Sequence, residues 1–556
     1  DPVVLRNELV AGQPTASPRL LLRFAQMTDD HIMDEDGAAV NGGSPLDPLH
    51  PVFEAAQRFQ DEYTDEVLNA MVKTINGCHA ASPVAFVVAT GDNTDLGTVA
   101  EVRRFIDNLD GDFDRISDFE KKCAAGLPAG TPAQFVDQQC TRFTGRGIAD
   151  TQTVDPDIDD PSYQFLPTRM LRQLFDTEEA VFSGRAADGS TDPSRSTANR
   201  APGMPQVLRC KAGEAGCANL RLAAPYYAAF GNHDGYVRGT LVTEPGLQEA
   251  STPFGRHYMR MQHEFIDEFF ETATLPGPVG HGFNFVEPAR LNDGDGRNDG
   301  YYAFNAGGGR FRMIVMNTII DGSDPRLPEQ LREIRNPFGL ADGTLDAAQF
   351  EWIKAELAQA HDRGQLVLVF SHHPDLTFAE YGTFAPFLPS EPAFVSAATL
   401  DAELASYPNL VAWVAGHTHR HRIRAFKVEN GKGHIAGRPE DEVFDVGCKE
   451  APASRCSGFW QIETASLIDF PQEQRLLEIL DNANGTGTIR ARVLQHDIEN
   501  AKRLAERDDL CQFYLSDPAA VQQAISDADI SAICKQGGTR DGEPTDRNVD
   551  LMFRMP

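Results

Sequence analysis

Positive charge is scarce in this sequence. Its 556 residues carry 50 Lys and Arg against 82 Asp and Glu, a formal charge of −32. A chain this acidic repels nucleic acid and anionic lipid unless a local cationic site intervenes, so no nucleic-acid binding is expected. Long apolar runs are missing too. Val84-Ala85-Phe86-Val87-Val88-Ala89 and Leu366 to Phe370 are strand-length, so no transmembrane segment is expected. The opening Asp1-Pro2 shows neither a basic start nor an apolar leader. That fits a cytosolic protein or a mature form numbered after cleavage. No C-x-x-C pair occurs, which argues against a thiolate zinc site. There is also no G-x-S-x-G elbow, H-E-x-x-H, Walker loop or G-x-G-x-x-G, so other nucleophile and cofactor schemes find no support.

What is present is ordinary globular composition, 41% hydrophobic and 24% charged, at a length that suggests about two to four domains. Eight of nine cysteines fall into local couples: Cys123 with Cys140, Cys210 with Cys217, Cys448 with Cys456, and Cys511 with Cys534. Each couple brackets a polar or irregular segment that a covalent clip would steady, and Cys78 is left over. Disulfides, and hence a secreted or periplasmic mature protein, are the expectation; scattered reduced thiols are the alternative.

Apolar periodicity predicts strands at Leu20 to Met27, Val84 to Ala89, Pro225 to Phe230, Phe311 to Met316, Leu366 to Phe370 and Leu410 to Ala415. Helices are predicted at Tyr63 to Asn76, Val99 to Leu109, Tyr258 to Phe270 and about Ala393 to Leu404. Another begins at Asp346, with Gln349 in the capping-box position and Phe350, Ile353 and Leu357 as its buried stripe. Alternating strands and helices indicate a layered α/β core. From Arg422 the pattern turns to β-runs (Ile423 to Val428, Phe459 to Ala465, Leu476 to Leu480, Thr488 to Leu494), read as a second, mainly antiparallel sheet of a sandwich. Residues 18–111 and 225–495 would form the main α/β domain and 496–556 a helical tail. The segment 112–224 is rich in Asp, Pro, Gly, Ser and Thr and reads as an inserted cap, with one helix at Arg169 to Phe175.

Five polar clusters stand immediately after predicted strands: Asp29-Asp30-His31, Gly91-Asp92-Asn93-Thr94-Asp95, Gly231-Asn232-His233-Asp234, Ser371-His372-His373-Pro374 and Gly416-His417-Thr418-His419. The crevice beyond the carboxyl ends of strands is where open α/β sheets bind ligands. The mixed oxygen and nitrogen set suits Mn, Fe, Zn or Co rather than Ca, and its size suits two ions sharing a carboxylate. Asp29/His31 and His417/His419 would point the same way at the period of an extended strand, and glycines 91, 231 and 416 would let the backbone turn.

The ordered set D-x-H, G-D-x-x-D, G-N-H-D, H and G-H-x-H resembles the calcineurin-like metallophosphoesterase superfamily, to which purple acid phosphatases and class III cyclic nucleotide phosphodiesterases are related. Gly343 to Trp352 also resembles that superfamily's helix start before its fourth motif. Within the superfamily the chain looks similar to secreted bacterial members. The resemblance implies a four-layer α/β-β/α sandwich with an inserted cap and a C-terminal helical tail. It also implies hydrolysis by a hydroxide bridging two divalent or trivalent transition metal ions. By the same resemblance Asp29, His31 and His419 would hold the first metal, Asp92 would bridge, and Asn232, His372 and His417 would hold the second. His233 would protonate the leaving group with Asp234 orienting it, and Asp95 would brace a ligand imidazole. Purple acid phosphatases place a tyrosine where Asp95 stands, so no Fe(III)–tyrosinate colour is expected.

Of the adjacent pair, the resemblance favours His372 as ligand and leaves His373 to brace or pack. Arg420 and His421 would either touch a substrate phosphate or begin the next strand as exposed residues. Asp293 to Asp299 resembles the start of a calcium loop but lacks its distal Glu, and such clusters are usually turns. Leu376, Phe378, Tyr381, Phe384 and Phe387 would line an apolar rim, or simply pack on the body. A rim favours a phosphodiester or lipid-head-group ester. A phosphomonoesterase is the alternative, and a catalytically inactive metal-binding module the reading from another class.

Overall fold

The computed structural model describes residues 2–32, 64–95, 97–111, 221–236, 239, 262–270, 277–286, 300–319, 341–378, 394–435, 444–498, 501–502, 505 and 540–556. Among them a seven-stranded sheet has the spatial order β1 (Val4–Arg6), β17 (Val549–Arg554), β16 (Thr486–Gln495), β15 (Glu473–Asp481), β2 (Arg19–Met27), β3 (Val87–Ala89) and β4 (Tyr226–Ala228). An eight-stranded sheet runs β13 (Phe444–Asp445), β12 (Lys432–Ile435), β11 (Arg422–Glu429), β14 (Gly458–Glu463), β10 (Leu410–Ala415), β8 (Leu366–Phe370), β6 (Phe311–Val315) and β5 (Tyr302–Ala306). A short pair, β7 (Leu345–Asp346) and β9 (Phe394–Val395), stands apart from both. The helices are α1 (Thr64–Ala81), α2 (Val99–Asp110), the single turn α3 (Asn232–Gly235), α4 (Gln262–Phe270), α5 (Ala347–Asp362) and α6 (Ala397–Ala405).

Side-chain parity assigns the layers. In β8, Leu366, Leu368 and Phe370 join one core, while Val367 and Val369 join another. The first core lies between the sheets, where Phe24 of β2 meets Phe370 edge-on at 5.7 Å, and it extends to Val67, Met71 and Ile75 of α1 and Phe105 of α2. The second holds Ile353 and Leu357 of α5 with Leu400 and Leu404 of α6. All five residues of β8 are buried, each contributing about 1.5–3 kcal/mol. The result is a four-layer sandwich with helices outside both sheets. On one side of the first sheet β2, β3 and the edge strand β4 are parallel, as are β6, β8, β10 and β14 in the second. Parallel strands bring their carboxyl ends to one side.

Three expectations change. The β-runs after Arg422 do not make one sheet: β11 and β14 complete the eight-stranded sheet, whereas β15 pairs antiparallel with β2 and carries β16 into the other. Alternation fixes which face a strand buries, not which strand it joins. The expected helical tail ends instead in β17, which pairs with β16 and, in parallel, with β1. Most of 496–539, and residues 112–220 of the expected cap, lie outside the described residues. Finally, Asp346 caps α5 by accepting from Gln349 N–H at 2.6 Å, but the Gln349 side chain does not close the box. It bonds Asn317 N–H and C=O at 2.9 and 2.7 Å, satisfying buried backbone just past β6.

Cys448 and Cys456 form a disulfide and Cys78 is unbridged. The other three couples, the Arg169 to Phe175 helix and the Asp293 to Asp299 loop lie outside the described residues. No described helix is long and apolar enough to cross a membrane. Phe378 is not a rim residue: it is 1% exposed and packs edge-on against Trp413.

One buried imidazole makes the fold acid-sensitive. His496 accepts from Ile498 N–H at Nδ1 and donates to Gln472 from Nε2, so it is neutral. Burial, aided by the Lys502 charge, pushes it down to about 3, against an ordinary ~6.5. The unfolded chain therefore binds the extra proton first, and stability is lost as pH falls from ~6.5 toward 3. Between pH 7 and pH 4.5 the wild type is expected to lose about 2 kcal/mol more than His496→Gln, read from urea unfolding. Equal losses would remove His496 as the cause.

Candidate metal centre

The functional clusters meet where the carboxyl ends of both sheets come together. Beyond β2 stand Asp29 and His31, and beyond β3 stand Asp92 and Asp95. After β4 comes α3 with Asn232, His233 and Asp234. The second sheet supplies His372 and His373 beyond β8, and His417 and His419 beyond β10. Backbone bonds continue past the strands: Asp29 N–H to Gly91 O and His31 N–H to Asp92 O, both 3.0 Å, and Gly416 N–H to His372 O at 2.9 Å. His417 N–H donates to the Asp29 carboxylate at 3.0 and 3.2 Å and so ties one sheet to the other. Below, Trp413 Nε1 donates to Ser371 Oγ, which donates to His373 O, both at 2.7 Å, anchoring the histidine loop to the core.

The pairs do not converge by strand pleating. Asp29 (φ 52°), His31 (45°), Asp92 (51°), His417 (69°) and His419 (52°) all adopt left-handed backbone, at a cost of roughly 1–3 kcal/mol each. The glycines also act differently from one another. Gly91 takes positive φ (92°), but Gly231 sits at φ −112°. A Cβ at Gly231 would lie 2.0 Å from Asp92 N and Oδ1, and one at Gly416 would lie 2.0 Å from Thr28 Oγ1. Those two positions need close approach rather than a turn.

Hydrogen bonding fixes which ring atoms face inward. His31 Nδ1 meets Asp95 Oδ1 at 2.8 Å, His372 Nδ1 meets Thr90 O at 3.0 Å, and His419 Nδ1 meets the Asp469 carboxylate. These oxygens only accept, so each imidazole spends its Nδ1–H outward and turns Nε2 inward. Asn232 Nδ2 donates to Gly239 O at 3.1 Å, which aims Oδ1 inward.

Two pockets of acceptors result. In the first, His31 Nε2 and His419 Nε2 stand 3.2 Å apart. Asp29 Oδ1 is 3.1 Å from His419 Nε2, and Asp92 Oδ2 is 3.6 Å from His31 Nε2. In the second, His372 Nε2 lies 3.0 Å from Asn232 Oδ1 and 3.1 Å from the same Asp92 Oδ2. His417 Nδ1 completes it at 3.1 Å from Asn232 Oδ1 and 3.2 Å from His372 Nε2. Lone pairs this close repel unless positive charge, a proton or a cation, lies among them. The titration directions agree. At Asp92, burial is outweighed by the His372 and His233 imidazoles, which hold the carboxyl well below its ordinary value. Against its own burial, His372 is drawn up to about 9 by the Asp92 charge. Burial and the neighbouring His372 push His417 down to about 3. The residues therefore fit two ions with nitrogen and oxygen ligands.

His373 approaches His372 and His417 but has both nitrogens committed, Nδ1 with Thr318 Oγ1 at 2.9 Å and Nε2 with Ala341 O at 2.8 Å. A third grouping, His31, Asp95 and His233, is filled by N–H donors. His233 Nδ1 donates to Asp95 O at 2.8 Å and lies 3.5 Å from Asp95 Oδ1. Asp95, not Asp234, is thus what orients His233. Asp234 accepts from the N–H groups of Gly231, Asn93 and Thr94 at 2.8, 2.9 and 3.0 Å and pins the loop instead. Burial and the Asp92 charge push it up to about 7. His421 is not exposed, and both its ring nitrogens are engaged by β15. It is 1% exposed, bonds Glu473 through Nε2 at 3.0 Å, and accepts from Arg475 at Nδ1 at 2.8 Å. Arg420 is half-buried just past His419. Nothing in the sequence marks Asp469, which stands fifty residues past its partner His419 and in no motif.

No protein-family model and no curated protein matches this chain. Among solved structures it is similar to a dimetal phosphatase from Danio rerio, at 11% identity and a TM-score of 0.33, covering 86% of this chain and 100% of that one. It is also similar to a purple acid phosphatase from yellow lupin (Lupinus luteus) seeds, at 10% identity and a TM-score of 0.30, covering 86% of this chain and 55% of that one. Likeness at this level decides nothing about chemistry, which rests on the pockets themselves.

Proposed function

We propose that this protein is a binuclear metal-dependent phosphoester hydrolase of the calcineurin-like metallophosphoesterase type. The observation that carries the reading is Asp92, whose Oδ2 faces both acceptor pockets at once, 3.6 Å from His31 Nε2 and 3.1 Å from His372 Nε2. Asp29, His31 and His419 would hold one ion and Asn232, His372 and His417 the other, with Asp92 shared. Manganese, iron, zinc or cobalt suits this donor set. Bound ions would lower the pKa of a water and neutralise charge on the phosphoryl oxygens.

The chain's own residues do the rest. His233 has its Nδ1–H engaged by Asp95, so Nε2 is the atom that hands a proton to the leaving oxygen. Its N–H donates to Asp92 Oδ1 at 2.9 Å, which fixes the ring's origin against the shared carboxylate. This built imidazole speaks against an inactive binding module.

For the substrate we carry forward a small organic phosphodiester, on the aromatic run Tyr381, Phe384 and Phe387 in the sequence; a monoester is the alternative. A secreted or periplasmic setting is proposed with it, supported by the Cys448–Cys456 bridge. Metal analysis, paired with turnover of bis-nitrophenyl phosphate and nitrophenyl phosphate, tests both levels. Two equivalents of transition metal and diester turnover lost on chelation are expected. Monoester preference would overturn only the substrate class, whereas no metal and no turnover would overturn the hydrolase.

A further inference from the structure

The segment that follows His419 and leads into β11 is stitched to the loop before β17. His421 N–H donates to Arg540 O and Ile423 N–H to Asp546 Oδ1, both at 2.9 Å. Arg475 donates to the carbonyls of Arg547 and Asp546 at 2.8 and 2.9 Å. At Gly542 (φ 72°) a Cβ would stand 2.4 Å from His421 O, so loop and strand run in contact. This contact delivers Arg540 to the first pocket. Its Nη1 lies 2.6 Å from Asp469 Oδ2, the oxygen that also meets His419 Nδ1. Asp469 is 2% exposed, and its N–H donates to Ser466 Oγ at 2.9 Å. Ser466 Oγ in turn donates to Asp29 O at 3.3 Å, so the turn carrying Asp469 touches both flanks of the pocket.

We propose that Arg540 is a positioning residue of the first metal pocket, clamping the Asp469 carboxylate that fixes the His419 imidazole. The inference rests on the two-metal reading and names a part of the machinery outside every motif. A guanidinium ion-paired to the oxygen that meets the imidazole adds a second, charged contact that restrains the carboxylate. Outer partners of ligating histidines are worth about 10–100-fold in metal affinity.

Equilibrium dialysis of the full chain against Zn²⁺ or Mn²⁺, with metal counted by mass spectrometry, tests the clamp. Wild type should take two equivalents. Arg540→Ala should weaken one of them about tenfold or more while keeping the other, and Arg540→Lys, which keeps the charge, should recover most of the loss. Arg554→Ala serves as the control, since that guanidinium bonds only Ser454 O on the surface, at 2.7 Å among the described contacts, and should leave both ions in place. Asp469→Asn, read in the same way, must reproduce the selective loss even if Arg540→Ala fails to fold. Wild-type affinity for both ions in Arg540→Ala or Asp469→Asn, or an equal loss in Arg554→Ala, overturns the proposal. A wild type that takes up no metal overturns the two-metal reading and the clamp with it, a failure recognisable because no variant is needed to see it.

Discussion

Asp92→Asn is expected to lower kcat/KM by about a thousandfold or more and to reduce metal occupancy in both pockets. The substitution keeps the shape and one carbonyl oxygen but removes a negative charge that both pockets share. Charge stabilisation by a correctly placed ion contributes several kcal/mol to the transition state. At 1.36 kcal/mol per decade, that is about three decades of rate. The backbone around residue 92 should survive, because His31 N–H bonds the Asp92 carbonyl and not its side chain. Kinetics and metal counts on a variant whose circular dichroism matches wild type are the check. Turnover within tenfold of wild type would remove Asp92 from the centre.

Gly231→Ala should do nearly as much damage with a single methyl group. The added Cβ would fall 2.0 Å from Asp92 N and Oδ1 and 2.8 Å from its Cα. These are mostly backbone atoms just past β3, which is held between β2 and β4, so Asp92 and the loop must part. The His233 N–H to Asp92 Oδ1 bond of 2.9 Å goes with that shift. A displacement of about 1 Å in such a site costs roughly a hundredfold in rate, and overpacking costs about 1–3 kcal/mol in stability. Steady-state kinetics with a thermal melt would measure both. An alanine variant with wild-type kcat would mean that the loops are looser than the close approach implies.

Much of the centre was legible because its residues follow apolar runs in a fixed order, and apolar runs reveal strands. Parallel strands must then present those residues on one side, as Asp29, Asp92, Asn232, His372 and His417 are. What the runs cannot reveal is pairing. The stretch Leu476 to Leu480 reads as a strand anywhere, and only the competition among cores places β15 beside β2. Local backbone was equally hidden: D-x-H suggests a pleat, yet Asp29 and His31 sit at φ 52° and 45°. His372 and His373 are told apart by their neighbours' protons, which a string of letters does not carry. Asp469 and Arg540 act through a carboxylate and a guanidinium placed by long-range packing, with no spacing to betray them.

The parallel pairing of Val4 with Val549 has a consequence in time. β1 is made well before its partner β17, and at about 5–20 residues per second roughly half a minute to two minutes of synthesis separates them. Throughout that interval one edge of the seven-stranded sheet lacks its closing strands, and the loop bearing Arg540 has not yet reached His421. The nascent chain can therefore assemble its strand-end motifs long before it can finish the first pocket. The contact between Arg540 and Asp469 therefore forms only after the histidines it would steady have already been made.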